Sequence, residues 1–386
     1  MAGVLHGSMP MNAPLRPETL ARARALPAAP RNVLMLAHAH QAPYRVMRCV
    51  AALGAKVHVF AGPDARSLAL SRHCAQLRAM AFDPAPNADV LAARIEAYAR
   101  AHAIDMVMPA DAVTTRILSG IRDRLGVPCF PIPDVATFDM LAIKDRFMQF
   151  CRERGLRHPE GHLLANRQAL QAALANGCIR LPAILKPINR WGSVGVVRID
   201  AHNAAGIAAA VDYAPILVQD YIAGADRSIS IFAADGRVTR QVTYCYPGGA
   251  FTFADEPELA RIVGEIARDL RLDGVFNFDA RIEADGTVWL LECNPRFFFT
   301  MDAAMVAGAN FARIEEAAGV ITVAAGELRQ PEALLKHLLR GRLPNRRDLR
   351  MLAHWLSDPL YFALAVAGYK RRWSAPWLER ALSRAR

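Results

Sequence analysis

LLECNPRFFF, residues 290–299, sets three polar side chains inside an apolar strand. Alternate residues of a strand face the same side, so Glu292, Asn294 and Arg296 point together while Cys293 turns to the packed face. A carboxylate, an amide and a guanidinium on one buried face are costly unless something polar binds them. The partner strand lies just upstream. GVFNFDARIEADGTVWLLECN (274–294) reads as a hairpin around Ala284-Asp285-Gly286. Its first arm puts Asn277, Asp279 and Arg281 on one face and Phe276, Phe278, Ala280 and Ile282 on the other. One side of the ribbon therefore carries Asp279, Glu292 and Asn294. Such hard oxygen donors suit Mg2+ or Mn2+, which takes one or two protein carboxylates and fills its shell with phosphate and water. The same acids can instead close salt bridges with Arg281 or Arg296, and the hairpin alone leaves both readings open.

Two upstream stretches favour the metal. AILKPINRWGSVGVVRID (183–200) places Lys186 at the end of an apolar strand, followed by a loop with Gly192, Ser193 and Gly195 and then another strand. A glycine-containing turn between strands can fold over a polyphosphate and offer backbone N–H groups, with Lys186 adding positive charge. It lacks the strand-loop-helix setting and the Gly-Lys-Ser/Thr ending of a Walker motif. ILVQDYIAGADRSISIFAADG (216–236) runs an apolar strand into Gln219-Asp220-Tyr221-Ile222, turns at Gly224, and places Asp226 just beyond. The extended backbone at 220–222 suits an adenine edge, and Asp226 suits ribose hydroxyls.

In this order the stretches resemble the ATP-grasp family over about residues 31–325. The matching pattern is Lys144 on an early helix, Lys186 before Gly192-Ser193-Val194-Gly195, the hinge Gln219-Asp220-Tyr221-Ile222 with Gly224 and Asp226, then Asp279 and Glu292-Cys293-Asn294. The resemblance implies a mixed α/β and α+β fold: a Rossmann-like pre-ATP-grasp domain, then a two-subdomain ATP-grasp fold. It implies an ATP-dependent ligase that converts a small-molecule carboxylate to an acyl phosphate for attack by an amine or other nucleophile. By the family's roles, Lys144 and Lys186 bind phosphates, and the 191–196 loop with Val194 and Gly195 is a lid. Residues 219–222 hold adenine, Asp226 holds ribose, and Asp279, Glu292 and Asn294 hold one or two Mg2+ or Mn2+ ions. Arg296, in its Asn-Pro-Arg setting, meets the transferring phosphate beside Lys186. Gln219, Asp226 and Asn277 depart from commoner family choices, but none is a metal ligand. A carboxyphosphate-forming enzyme and a non-catalytic ATP-binding module are the alternatives; the intact metal triad favours chemistry.

The 386 residues allow two or three packed units, and a 53% apolar content marks a folded chain. The expected division is a loose leader at 1–30, an α/β domain at 31–137, an ATP-grasp domain at 138–325 with its lid near 180–220, and a basic helical extension at 326–386. In the first domain, strands at 32–37, 56–61 and 104–110 alternate with helices at 44–54, 90–103 and 113–126, a parallel-sheet pattern. No glycine-rich turn follows the first strand, so it is not a dinucleotide site. His38, His40 and Asp111 lie at strand ends bordering a cleft, and Arg190 and Trp191 lie in the lid. Residues 137–155 and 255–272 read as single helices, and 178–245 as short strands joined by turns.

The net charge of +11 is concentrated: from Lys336 to Arg386 twelve Lys or Arg face three acids. A duplex binder carries its charge on the folded docking face, so a nucleic-acid partner is not expected. Seven scattered cysteines without a C-x-x-C pair fit a reducing cytoplasm. No apolar run reaches the ~18–20 residues of a membrane helix, and the N-terminus lacks a secretory apolar core. LSDPLYFALAVAGYKRRWSAPWLERAL (356–382) joins an apolar run to Lys370-Arg371-Arg372-Trp373. It suits a peripheral contact with anionic lipid, or a cap on the body or on the second subunit of a homodimer. The large apolar residues of 351–369 favour the cap.

Overall fold

Short apolar runs separated by amphipathic segments build the first unit, as the alternation requires. The computed structural model describes residues 30–82, 85–188, 190, 194–314 and 319–363. The leader at 1–29, the lid residues Trp191, Gly192 and Ser193, and the tail beyond 363 with its Lys370–Trp373 run lie outside the described residues.

In chain order the elements of the first unit are β1 (Asn32–Ala37), α1 (Gln41–Ala51), β2 (Lys56–Ala61), β3 (Cys74–Ala79), α2 (Ala88–His102), β4 (Met106–Pro109) and α3 (Ala112–Ile121). The strands form a sheet in the order β3-β2-β1-β4, with all pairings parallel. β1 and β4 are buried along nearly their whole length, which explains their unbroken apolar texture. β3, with the sequence CAQLRA, is a partly exposed edge strand and has no apolar run to betray it.

Next come α4 (Val135–Ala142), α5 (Lys144–Glu153), β5 (Gly161–Leu164), α6 (Arg167–Ala175), β6 (Ala183–Pro187), β7 (Val197–Ile199), α7 (Ala204–Ala210) and β8 (Ile216–Asp220). The single helix expected at 137–155 is two, because Ile143 is extended (φ −87°, ψ 117°). The break frees the Lys144 N–H to donate to Ile188 O at 3.4 Å and puts Lys144 at the first position of α5. The apolar periodicity continues across the break, which hides it in sequence. The all-strand reading of 178–245 also needs correction: AAGIAAA forms α7, since alanine is the strongest helix former. β5, β8, β6 and β7 make a small antiparallel sheet in that order.

The chain continues through β9 (Ala225–Ala234), β10 (Arg237–Cys245), β11 (Ala250–Phe253), α8 (Pro257–Asp269), β12 (Gly274–Ile282), β13 (Val288–Asn294), α9 (Met301–Ala307), β14 (Ile321–Thr322), β15 (Gly326–Arg329), α10 (Pro331–Leu339) and α11 (Arg346–Leu356). The larger sheet runs β13-β12-β9-β10-β11-β15, with β14 beside β10. Its apolar face, with Phe276, Phe278, Ile229 and Cys293, packs on α4, α5 and α8 in one core. The described part of the extension packs on the first domain: Tyr361 stacks on Tyr44 of α1 at 3.7 Å, and Trp355 lies 5.9 Å from the same ring. Among the described residues no helix is long and apolar enough to cross a membrane.

Candidate active site

The polar face begins with strand register. β12 lies between β13 and β9, and the pairs Asn277–Asn294, Asp279–Glu292, Asn277–Ser230, Asp279–Ser228 and Arg281–Asp226 bring three strands' polar positions onto one side. Period two alone does not place Glu292 there. Leu290 has the same parity as Glu292 but pairs with Ala280 on the core side, because Leu291 is an extra residue between the two pairs. This bulge turns Glu292 to the polar face. It also leaves the Leu291 carbonyl to accept a hydrogen bond from Lys186 Nζ at 3.4 Å.

Lys186, at the end of β6, is buried, and so is Lys144 on α5. Lys144 Nζ donates to Arg190 O at 2.8 Å and lies 3.5 Å from Glu292 Oε2. A cavity of about 360 Å3 between the two antiparallel sheets is lined by Lys144, Lys186, Gln219, Asp226, Asp279 and Glu292. Two cations, Lys144 from α5 and Lys186 from β6, thus meet two acids from β12 and β13.

Burial drives the Asp279 carboxyl up to about 7, and the facing Glu292 charge adds to the rise. Hydrogen bonds from Ser228 Oγ at 2.5 Å and Asn277 Nδ2 at 3.2 Å act in the opposite sense. Glu292 is also desolvated, but Lys144 and Lys186 hold it below the usual carboxylate range. The Lys186 ammonium is pushed down to about 8 by burial, with Glu292 opposing and Lys144 assisting. Asp279 and Glu292 therefore share a desolvated spot that resists a second negative charge. A hard divalent cation is the partner such a pair fits, and the Asn294 amide stands beside it, donating to Glu292 Oε1 at 3.3 Å. Among the described residues no group of three or more His, Cys, Asp or Glu is placed to hold a metal ion, and the candidate set consists of two carboxylates and the Asn294 amide.

The other sequence candidates fall at varying distances from this centre. Arg296 donates to Asn294 Oδ1 at 3.0 Å, and the Asp111 charge acts on it from the first domain. Asp226 lines the cavity but is bound by Arg281 at 2.6 Å, and Arg281 also donates to Ile222 O at 2.7 Å. Asp279 and Glu292 are thus not the partners of Arg281. Gln219 turns its amide to Pro159 O at 3.0 Å, and its neighbour Asp220 pairs with Arg180. The N–H groups of Asp220 and Tyr221 donate to Glu160 O and Pro182 O, at 2.8 and 3.3 Å. The guanidinium groups of Arg198 and Arg281 lie 4.3 and 5.2 Å from the centre of the Tyr221 ring. Gly195 (φ 82°) accepts from Tyr213 OH at 2.8 Å, and Val194 is exposed. Asp111 serves the scaffold, capping α3 and accepting from the His38 N–H at 2.6 Å.

Ser228 and Tyr244 were not among the sequence candidates. Ser228 was legible, because the alternation of DRSIS puts it in phase with Asp226. Tyr244 was not: it reaches Asn277 Oδ1 at 3.2 Å from β10, two strands away.

The fold has known counterparts. Residues 212–332 match the family model described as ATP-grasp in the biosynthetic pathway with Ter operon. Among solved structures, carboxyaminoimidazole ribonucleotide synthase from Aspergillus clavatus complexed with ATP superposes with a TM-score of 0.62 at 13% identity, covering 86% of this chain and 98% of that one. An L-amino acid ligase from Bacillus licheniformis gives 0.56 at 16% identity over 74% and 75% of the two chains. In sequence, the arginine-specific carbamoyl phosphate synthase large chain of Geobacillus stearothermophilus is 27% identical over 202 residues, 47% of this chain. The match spans only 18% of that relative's length. Over residues 212–332 the chain thus resembles an ATP-grasp family, and its overall fold is shared with these ligase structures.

Proposed function

We propose that this chain is an ATP-dependent carboxylate ligase. The observation that carries the reading is the convergence of Lys144, Lys186, Asp279 and Glu292 on one cavity between two sheets. Phosphoryl transfer asks little covalent work of a protein; positioning and charge neutralisation supply most of the catalysis. Lys144 and Lys186 bind the triphosphate, the 219–222 segment lies along the adenine side, and Asp226 exchanges its Arg281 contact for the ribose. Asp279, Glu292 and Asn294 would hold one or two Mg2+ or Mn2+ ions, which supply charge neutralisation at the phosphates. Arg296, between the metal face and Asp111, steadies the phosphoryl group as it passes to the acceptor. The acceptor is a small-molecule carboxylate, and the acyl phosphate is then attacked by an amine or other nucleophile. Seven free cysteine thiols support a reducing, cytoplasmic setting.

Bicarbonate as the acceptor, giving carboxyphosphate, is the second reading. It is favoured by the Asn294-Pro295-Arg296 setting and by the sequence likeness to a carbamoyl phosphate synthase. ADP release with Mg2+-ATP, measured over a pool of carboxylates and amines and over bicarbonate alone, decides between them. Turnover only with carboxylate and amine together supports the ligase, and turnover with bicarbonate alone supports the second reading. Tight ATP binding with no ADP from any acceptor would make the chain a nucleotide-binding module. Failure to bind ATP would overturn all three.

A further inference from the structure

Beyond the nucleotide site, the surface of the C-terminal helices has an unusual composition. On α10, Leu334 is buried, but Leu335, Leu338 and Leu339 form a second, exposed stripe at helical spacing. On α11, Asp348, Met351 and Trp355 face the body. At about 100° per residue, Leu349, Ala353 and Leu356 lie on roughly the opposite side, and all three are exposed. The greatest exposure is at the turn between the helices, with Leu339 at 79% and Leu343 at 88%. Soluble surfaces rarely gather so many leucines without a use.

Cations are interleaved with these leucines. Lys336, Arg340, Arg342, Arg346 and Arg350 are exposed in the same thirty residues. Asp348 and Asp358 are buried, which leaves Glu332 as the exposed acid among the described residues from 331 to 360. The surface is therefore both apolar and cationic.

We propose that α10, the 340–345 turn and α11 dock on a membrane surface rich in anionic lipid. In this mode Leu339 and Leu343 enter the acyl boundary, and Arg340, Arg342 and Arg346 meet the headgroups. Leucines beside Lys and Arg are the composition of helices that lie in the interfacial plane. Protein interfaces concentrate aromatic residues and methionine, and leucine is under-represented at their hot spots. The exposed large apolar residues of this face are all leucine.

Co-sedimentation of the full-length protein with phosphatidylcholine vesicles, with and without phosphatidylglycerol, tests the proposal. Binding is expected only with phosphatidylglycerol and weakens as salt rises. Arg342→Gln weakens it about fivefold. The double change Leu339→Ser with Leu343→Ser weakens it about tenfold or more. Unchanged ATP affinity and melting temperature show that these variants fold. No binding at low salt overturns the proposal. So does binding that survives the leucine changes but is lost on replacing Lys370, Arg371 and Arg372 by Gln. Self-association that the leucine changes abolish, without vesicle binding, would assign the face to a second copy of the chain.

Discussion

Glu292 joins the two halves of the proposed site: it faces Asp279 across the ribbon, lies 3.5 Å from Lys144, and accepts from Asn294. Glu292→Gln keeps its shape and removes one negative charge from the proposed cation site. ADP release is expected to fall about a hundredfold or more while the melting temperature stays close to that of the parent protein. A loss of more than ~3 kcal/mol in denaturant unfolding would instead mark Glu292 as half of a structural ion pair. Lys186 makes the complementary case. Its ammonium is held in the protein against the pull of desolvation, so Lys186→Met removes a buried charge and fills the same space. Calorimetric titration with Mg2+-ATP is expected to show affinity about tenfold or more lower, with stability equal or higher. A large drop in stability with intact nucleotide affinity would assign Lys186 to the scaffold.

At the level of elements, the site depends on two local departures from regular structure. The bulge at Leu291 turns Glu292 outward, and the break at Ile143 delivers Lys144 at the start of α5. A third element, the turn at Gly224, sets how β8 enters β9 and so where residues 219–226 lie. Gly224 has φ 131°, and a Cβ there would stand 2.3 Å from Ile282 O on β12. Backbone cannot yield as a flexible side chain can. Gly224→Ala is expected to cost roughly 2 kcal/mol or more in urea unfolding and to weaken ATP binding. Substitution at Gly286, whose Cβ would meet nothing within 4 Å, is the control and carries only the cost of its positive φ. Equal effects at the two glycines would show that the close approach to β12 does not matter.

The whole molecule is tied together where the first domain, α9 and the C-terminal helices meet. Arg45 of α1 binds Asp302 of α9 at 2.7 Å, with Asp302 fully buried. Asp302→Ala leaves Arg45 desolvated without its partner, and a loss of about 3–5 kcal/mol is expected in thermal or denaturant unfolding. His354 on α11 gives the junction a pH response. Burial, aided by the Arg48 charge, pushes its imidazole down to about 4 from 6.5. The unfolded chain therefore takes up a proton between these values while the folded chain does not. Stability from this group is complete above about pH 6.5, falls as pH drops towards 4, and levels off below, a change of roughly 3 kcal/mol. His354→Leu is expected to flatten that slope in melts across the range; an unchanged slope would place the acid sensitivity elsewhere.

Much of this was legible from one dimension. The alternation of VFNFDARI and WLLECN announced a ribbon with one polar face, and β1 and β2 have the bounds their apolar runs imply. The order of Lys144, Lys186, Asp226, Asp279 and Glu292 carried the resemblance to ATP-grasp proteins, because strand periodicity and loop chemistry are local properties. What lay beyond local reading was long-range. Whether Arg281 would bind Asp279 and Glu292 or Asp226 depended on the pairing of β9 with β12, 55 residues apart in sequence. Tyr244 could not be assigned to the site until β10 took its place in the sheet. The break at Ile143 is invisible to a periodic pattern, since the apolar spacing continues across it, and the bulge at Leu291 shifts the strand phase by one residue within a Leu-Leu pair whose two members read alike. The residue types were therefore set by the sequence, but strand register and packing decided which acids share one cavity with Lys144 and Lys186. Those are contacts between segments that no local propensity encodes.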